Sequence, residues 1–142
     1  MRVVLDVNVL ISALISPSGT PARIILAWQA GRFDLIVSPL LLEELGRALA
    51  YPKLRRRITA DEARRFVGWL SRDATVVDDP GQPPLVRSVD PGDDYLLSLA
   101  AAADALLVSG DDHLLSIRSG LPIHSSAAFI ELLGRSDQPG SP

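Results

Sequence analysis

Four acidic residues share one kind of placement along this chain. Asp6 closes the apolar run RVVL at 2–5. Asp111 follows LLV at 106–108 by way of Ser109 and Gly110. Asp93 opens the helical stretch YLLSLAAAADA, and Glu44 stands on the helical segment that follows FDLIV at 33–37. If the apolar runs are parallel strands, their carboxyl ends border one crevice, where ligands of open α/β sheets bind. Carboxylates gathered there repel one another and resist joint ionisation, so they require a compensating cation. Mg²⁺ and Mn²⁺ prefer carboxylate and water oxygens. Such an ion, once held, activates water and stabilises charge on a phosphate in transfer, which is the chemistry of phosphodiester hydrolysis. Each acid alone has a plainer explanation. Asp93 and Asp111 are placed to cap helices, and Glu44 to lie on a solvated face. Asp6 resists such an account best, because a charge directly after a buried strand is rarely decorative.

The elements that must position these acids alternate. A strand at 2–5 leads to a helix over 8–15, and 17–20 break it. Thr20 and Pro21 read as N-cap and first helical residue of a second helix, which Gly31 ends. A strand at 33–37 is followed by Ser38-Pro39, a cap with a first-turn proline, and a helix to about residue 50 that Pro52 stops. Thr59 and Glu62 form a capping box before a helix to about residue 71. A short strand at 75–77 precedes the segment 78–92, which holds four prolines and two glycines and reads as a loop beside the acidic centre. A helix from Asp93, a strand at 106–108, a short helix at 112–117, a strand at 122–124 and a last helix capped by Ser125 and Ser126 complete the series. This alternation predicts an α/β/α sandwich around a mostly parallel sheet of four to five strands. One domain over residues 1–134 and a disordered tail at 135–142, rich in Ser, Pro and Gly, are expected.

Bulk properties narrow the function classes. The chain has 142 residues, 47% hydrophobic and 22% charged, with a net charge of −3. That length fits one domain with a full core. Without a basic excess, a sequence-reading DNA-binding module is disfavoured, whereas an acidic enzyme acting on a polyanion remains possible once cations neutralise its site. Cysteine is absent, which excludes disulfides, thiolate zinc sites and thiol nucleophiles. Asp6 and Asn8 interrupt the N-terminal apolar run, and no stretch reaches the roughly 20 residues needed to span a bilayer. A soluble, cytoplasmic protein without membrane association is the expectation.

Three stretches match a known pattern. VVLDVNVLISAL, with Asp6 and Asn8, resembles the first motif of PIN domains. SPLLLEELGRALAYPKL, with Glu44 before Leu45, resembles the second. DPGDDYLLSLAAAADALLVSGDDHLL, with Asp93 and Asp111, resembles the third and fourth together. The resemblance runs from residue 1 to about residue 133, and is strongest to the VapC-like toxin branch of toxin–antitoxin modules. It implies a PIN-like, Rossmann-related fold and Mg²⁺- or Mn²⁺-dependent cleavage of RNA. Asp6, Asp93 and Asp111 would face the metal, and Glu44 would be a ligand or orient the attacking water. Asn8, Ser38 and Ser109 would hold the acids in place. A cognate antitoxin and a homodimer are the implied partners. Asp93 and Asp94 are adjacent; register with the family favours Asp93. Asp90 fits the family's D-P-x-D and reads as a turn residue. Where many relatives carry a further acid after the fourth, this chain has His113, with Asp112 between.

Other residues have weaker claims. Arg55 and Arg56, within the basic run 53–57, and Arg47, one turn beyond Glu44, are candidate RNA contacts, although a solvated face is the commoner explanation of such a run. His113 and His124 lack zinc-ligand spacing. Trp28 and Trp69 lie on apolar faces and read as core or interface. Two rival phosphate-handling classes fit poorly: a receiver domain needs a lysine late in the sheet, where this chain has only Lys53, and an aspartate-nucleophile phosphatase needs Asp where Asn8 stands. A catalytically inactive module of the same fold, binding RNA or protein, is the remaining alternative.

Overall fold

The computed structural model describes residues 1–81, 94–110, 115 and 122–136. Within them a five-stranded sheet forms in the order β3-β2-β1-β4-β5, every pairing parallel. The strands are β1 (Arg2–Leu5), β2 (Asp34–Val37), β3 (Thr75–Val76), β4 (Leu106–Val108) and β5 (Ile123–His124). The helices are α1 (Val7–Ile15), α2 (Thr20–Gln29), α3 (Pro39–Leu49), α4 (Pro52–Arg55), α5 (Ala60–Asp73), α6 (Asp94–Ala102) and α7 (Ser126–Ser136). The helix expected at 112–117 and most of the 78–92 loop lie outside the described residues.

The central strands are apolar without interruption because they are covered on both faces. Val3, Val4 and Leu5 are fully buried, as are Ile36 and Val37 in β2. From β1 the chain steps outward to β2 and β3, then returns across β1 to β4 and β5. Crossovers between parallel strands are right-handed, so this reversal puts the connections before and after β3 on opposite faces. Accordingly α1, α2, α3, α5 and α7 touch one another in series, whereas α6 packs on β1 and β4. Since β1 and β4 are neighbours whose following segments leave in opposite directions, a crevice opens at their carboxyl ends.

Local signals explain most boundaries. Gly31, at φ 78°, ends α2: its N–H donates to Trp28 O at 2.9 Å and that of Arg32 to Ala27 O at 3.1 Å, a pairing that satisfies the last carbonyls and favours glycine in the left-handed region. The expected cap of α2 needs correction. Thr20 is already helical and Gly19 is the N-cap, with no side-chain hydrogen bond; Pro21 then sits one place further in, still among the positions whose N–H lacks an intrahelical acceptor. Pro52 does more than end α3, since it opens the single turn α4. α5 extends to Asp73 and α7 to Ser136, each beyond its sequence-based end.

The capping box of α5 is complete: the Thr59 hydroxyl accepts from Glu62 N–H and the Glu62 carboxylate from Thr59 N–H, both at 3.0 Å. These bonds, the backbone donor foremost, hold the Glu62 carboxyl below its ordinary value of 4.5. A depressed carboxyl contributes stability above the unfolded-state pKa and loses it as pH falls through the folded-state pKa. Urea midpoints measured downward from about pH 5 are therefore expected to fall less steeply for Glu62→Gln than for the wild type.

Gly46 and Gly68 stand inside α3 and α5, where glycine costs roughly 0.5–1 kcal/mol relative to alanine. A Cβ at Gly46 would meet nothing within 4 Å, and one at Gly68 only the Arg72 guanidinium at 3.8 Å. Packing among the described residues requires neither glycine.

Candidate active site

Asp6 follows the central strand directly. Its N–H donates to Val108 O at 2.9 Å, which carries the β1–β4 ladder one residue past its last paired position and places Asp6 beside Ser109. The side chain is 6% exposed. Its Oδ2 accepts a 2.8 Å hydrogen bond from the Ser109 hydroxyl, and its Oδ1 faces the N–H of Asn8 at 3.5 Å, as N-cap of α1. A buried charge needs such partners, and the helix N-terminus favours a negative one. The sheet reversal, the cap and the serine thus agree in holding a carboxylate at the crevice.

Asn8 meets Asp6 through its backbone; its side chain is exposed. With Ser12, Pro21, Gly110 and Ser126 it lines a cavity of about 390 Å³ beside the strand ends. Ser109 is fully buried and occupies the expected place against Asp6. Ser38, also fully buried, instead caps α3, accepting from Leu41 N–H at 3.2 Å.

Glu44 lies on α3 and its carboxylate accepts from Arg47 at 2.6 Å, while the same guanidinium reaches Glu43 at 3.0 Å. Arg47 is therefore engaged with two acids on its own helix rather than presented alone to a ligand. Exposed pairs of this kind contribute only about 0–1 kcal/mol, so another cation can displace the guanidinium at little cost. Arg55 and Arg56 are exposed at the end of α4.

Asp93 and Asp111 lie outside the described residues, as do Asp90, Asp112 and His113. Asp94 is the first residue of α6. Among the described residues, no three His, Asp or Glu side chains come together to hold a metal ion. The donors that are described at the strand ends, a buried carboxylate backed by a hydroxyl, are hard oxygen ligands of the type suited to Mg²⁺ or Mn²⁺.

Asp79 is a strand-end acid that the sequence reading left in the loop. Its Oδ2 accepts from Leu40 N–H at 2.9 Å, a second cap on α3, and its Oδ1 is buried without a hydrogen-bond partner among the described residues. Its position, two residues after the strand-like TVV, was the available signal. Trp28 and Trp69 meet with ring centroids 4.8 Å apart, packed against the core.

An open parallel sheet flanked by helices, with a carboxylate at its reversal point, defines an α/β protein of the Rossmann-related kind. Within that class the chain belongs to the PIN-domain family, whose model matches residues 2–113. It is 30% identical over 119 residues to the uncharacterized protein MJ1680 of Methanocaldococcus jannaschii, covering 83% of this chain and 76% of that protein. Two solved structures share the fold. VapBC2 from Rickettsia felis, bound to a DNA fragment from its promoter, superposes with a TM-score of 0.64 at 16% identity over 88% of this chain and 98% of that one. PAE2754 from Pyrobaculum aerophilum gives 0.61 at 21% identity over 94% and 90%.

Proposed function

We propose that this protein is a divalent-metal-dependent endoribonuclease, the toxin half of a toxin–antitoxin pair. The observation that carries the reading is the buried Asp6 carboxylate, fixed by Ser109 at the reversal point of the sheet. Family membership supports it, since PIN domains are generally nucleases, and so does the structural likeness to a toxin–antitoxin complex. Asp93 and Asp111 join Asp6 in this reading; they are covalently next to Asp94, which opens α6, and to Gly110, which lines the cavity beside the strand ends.

A bound Mg²⁺ or Mn²⁺ supplies Lewis acidity and a nucleophilic water at neutral pH. The chain's residues do the positioning. Asp6, Asp93 and Asp111 would hold the ion, and Ser109 fixes the orientation of the Asp6 carboxylate. Glu44, released from Arg47, orients the attacking water or completes the ligand set. RNA is the substrate, and the partners are a protein antitoxin and a second copy of this chain. No single helix among the described residues is long and apolar enough to cross a membrane; a cytoplasmic site of action is part of the proposal.

The test is degradation of labelled single-stranded RNA by purified protein, lost with EDTA and restored by Mn²⁺. An inert preparation that still binds Mn²⁺ would instead favour the inactive binding module. Ser109→Ala checks the positioning role. Outer-shell partners of metal ligands are worth roughly 10- to 100-fold in metal affinity or activity, so the Mn²⁺ concentration at half-maximal cleavage is expected to rise by that order. An unchanged metal requirement would remove Ser109 from the site.

A further inference from the structure

α2 and α5 end at a shared cavity of about 390 Å³, lined by Trp28, Gln29, Trp69 and Asp73. α2 stops at Gln29 and leads into β2; α5 stops at Asp73 and leads into β3. Since the strands are parallel, the cavity lies by their amino ends, at the edge of the sheet opposite Asp6.

Three features of this cavity carry the same sign. The first is aromatic. Trp28 and Trp69 are half-buried, packed against the core and against each other, and their remaining surface lines the cavity. Phe66 abuts Trp69, with ring centroids 6.1 Å apart. An indole face attracts a cation better than any other aromatic side chain. The second is Asp73, four residues after Trp69 and so on the same face of α5. It is exposed and makes no ion pair among the described residues. The third is the backbone. The last carbonyls of a helix carry partial negative charge, and two helices end here. An acid in the last turn adds to that charge instead of offsetting it, so Asp73 costs α5 stability.

Nothing basic lines the cavity among the described residues. α2 has no basic residue in its last turn. Arg72, in the last turn of α5, lies along another face, where its guanidinium is 3.8 Å from the position of a Cβ on Gly68. A hard dication would want several oxygen ligands, and the cavity offers one carboxylate. A nucleic-acid backbone would be repelled. A guanidinium matches all three features: it is planar, weakly hydrated, stacks on aromatic faces and donates in a fork to a carboxylate. The Gln29 amide oxygen is a further acceptor.

We infer that this cavity binds a guanidinium group, stacked on the tryptophans and held by the Asp73 carboxylate. The group comes either from a free guanidine or from an arginine side chain on a peptide. The inference does not depend on the nuclease reading.

Tryptophan emission of the whole chain, titrated with methylguanidine, acetyl-arginine amide or methylammonium at constant ionic strength, tests it. Circular dichroism confirms an unchanged fold. Both guanidinium probes are expected to give a saturable change, with a dissociation constant on the order of millimolar, and methylammonium a weaker one. Tighter binding of acetyl-arginine amide than of methylguanidine would identify the peptide source, and equal binding the free molecule. Asp73→Asn should weaken binding by roughly tenfold. Glu131→Gln, which removes an exposed acid from α7, should leave it unchanged. No saturable change with either guanidinium probe would overturn the site. So would equal losses in the two variants, which would reduce the effect to net charge, or equal affinity for methylammonium, which would remove the planar group from the recognition.

Discussion

Asp6→Asn is expected to yield a well-folded protein that no longer degrades RNA. The two side chains have the same shape, and the amide oxygen can still accept the Ser109 hydrogen bond at the 2.8 Å now seen. The backbone ladder from Asp6 N–H to Val108 is untouched. Removing a charge that is 6% exposed relieves a desolvation cost but gives up the cap on Asn8 N–H and the attraction to the α1 N-terminus, so the thermal midpoint should move little. Activity should move the other way. A neutral amide binds a hard dication far more weakly than a carboxylate. If an outer-shell partner is worth 10- to 100-fold, loss of a ligand itself should exceed about 100-fold in cleavage rate. The paired measurement is RNA cleavage at saturating Mn²⁺ beside a melting curve. Wild-type rates from the folded variant would mean that Asp6 is structural, and the proposed centre would have to be given up. A variant that merely unfolds would be uninformative alone, so Asp6→Glu, which keeps the charge and lengthens the arm, serves as the companion. Its activity should fall while Mn²⁺ binding persists.

The parts of this site that were legible in the sequence are those fixed by local or periodic signals. An apolar run ending in a charge identified β1 and Asp6 together, because only a strand buried on both faces is apolar at every position. Ser38-Pro39 announced α3, and Thr59 with Glu62 announced α5, since capping is a matter of neighbours in sequence. What sequence could not give were partnerships made across the fold. Asp79 caps α3 from 39 positions away, a distance at which no spacing rule operates. Asn8 meets Asp6 through its backbone N–H, a contact its side-chain type does not announce, because α1 begins one residue earlier than its polar pattern suggested and Asp6 is its cap. The misplaced cap of α2 has a similar origin. Gly19 turns the chain by donating to Ser16 O at 3.0 Å and accepting from Arg23 N–H at 3.2 Å, and a glycine cap leaves no side-chain signature.

α7 lies beyond residues 2–113, the stretch the family model matches, yet Phe129→Ala is expected to destabilise the whole protein severely. Phe129 is fully buried and meets Phe33 edge to face, with ring centroids 5.3 Å apart at 84°. α7 packs on α2 and β5, and the Arg32 guanidinium donates to Leu133 O at 2.7 Å. The residues that lead from α2 into β2 and the last helix are thus joined at one place. Truncating a buried phenylalanine removes its transfer free energy and leaves a cavity that the sheet behind it cannot collapse to fill, a loss of about 3–5 kcal/mol. For a domain of this size that should lower the melting temperature by on the order of 10 °C. Leu26 provides the control. It also lies between α2 and α7, but it is 60% exposed, so Leu26→Ala should change stability by about 0.5 kcal/mol at most. Urea denaturation of the two variants separates the cases. If Phe129→Ala cost no more than Leu26→Ala, α7 would be an appendage docked on a core complete without it.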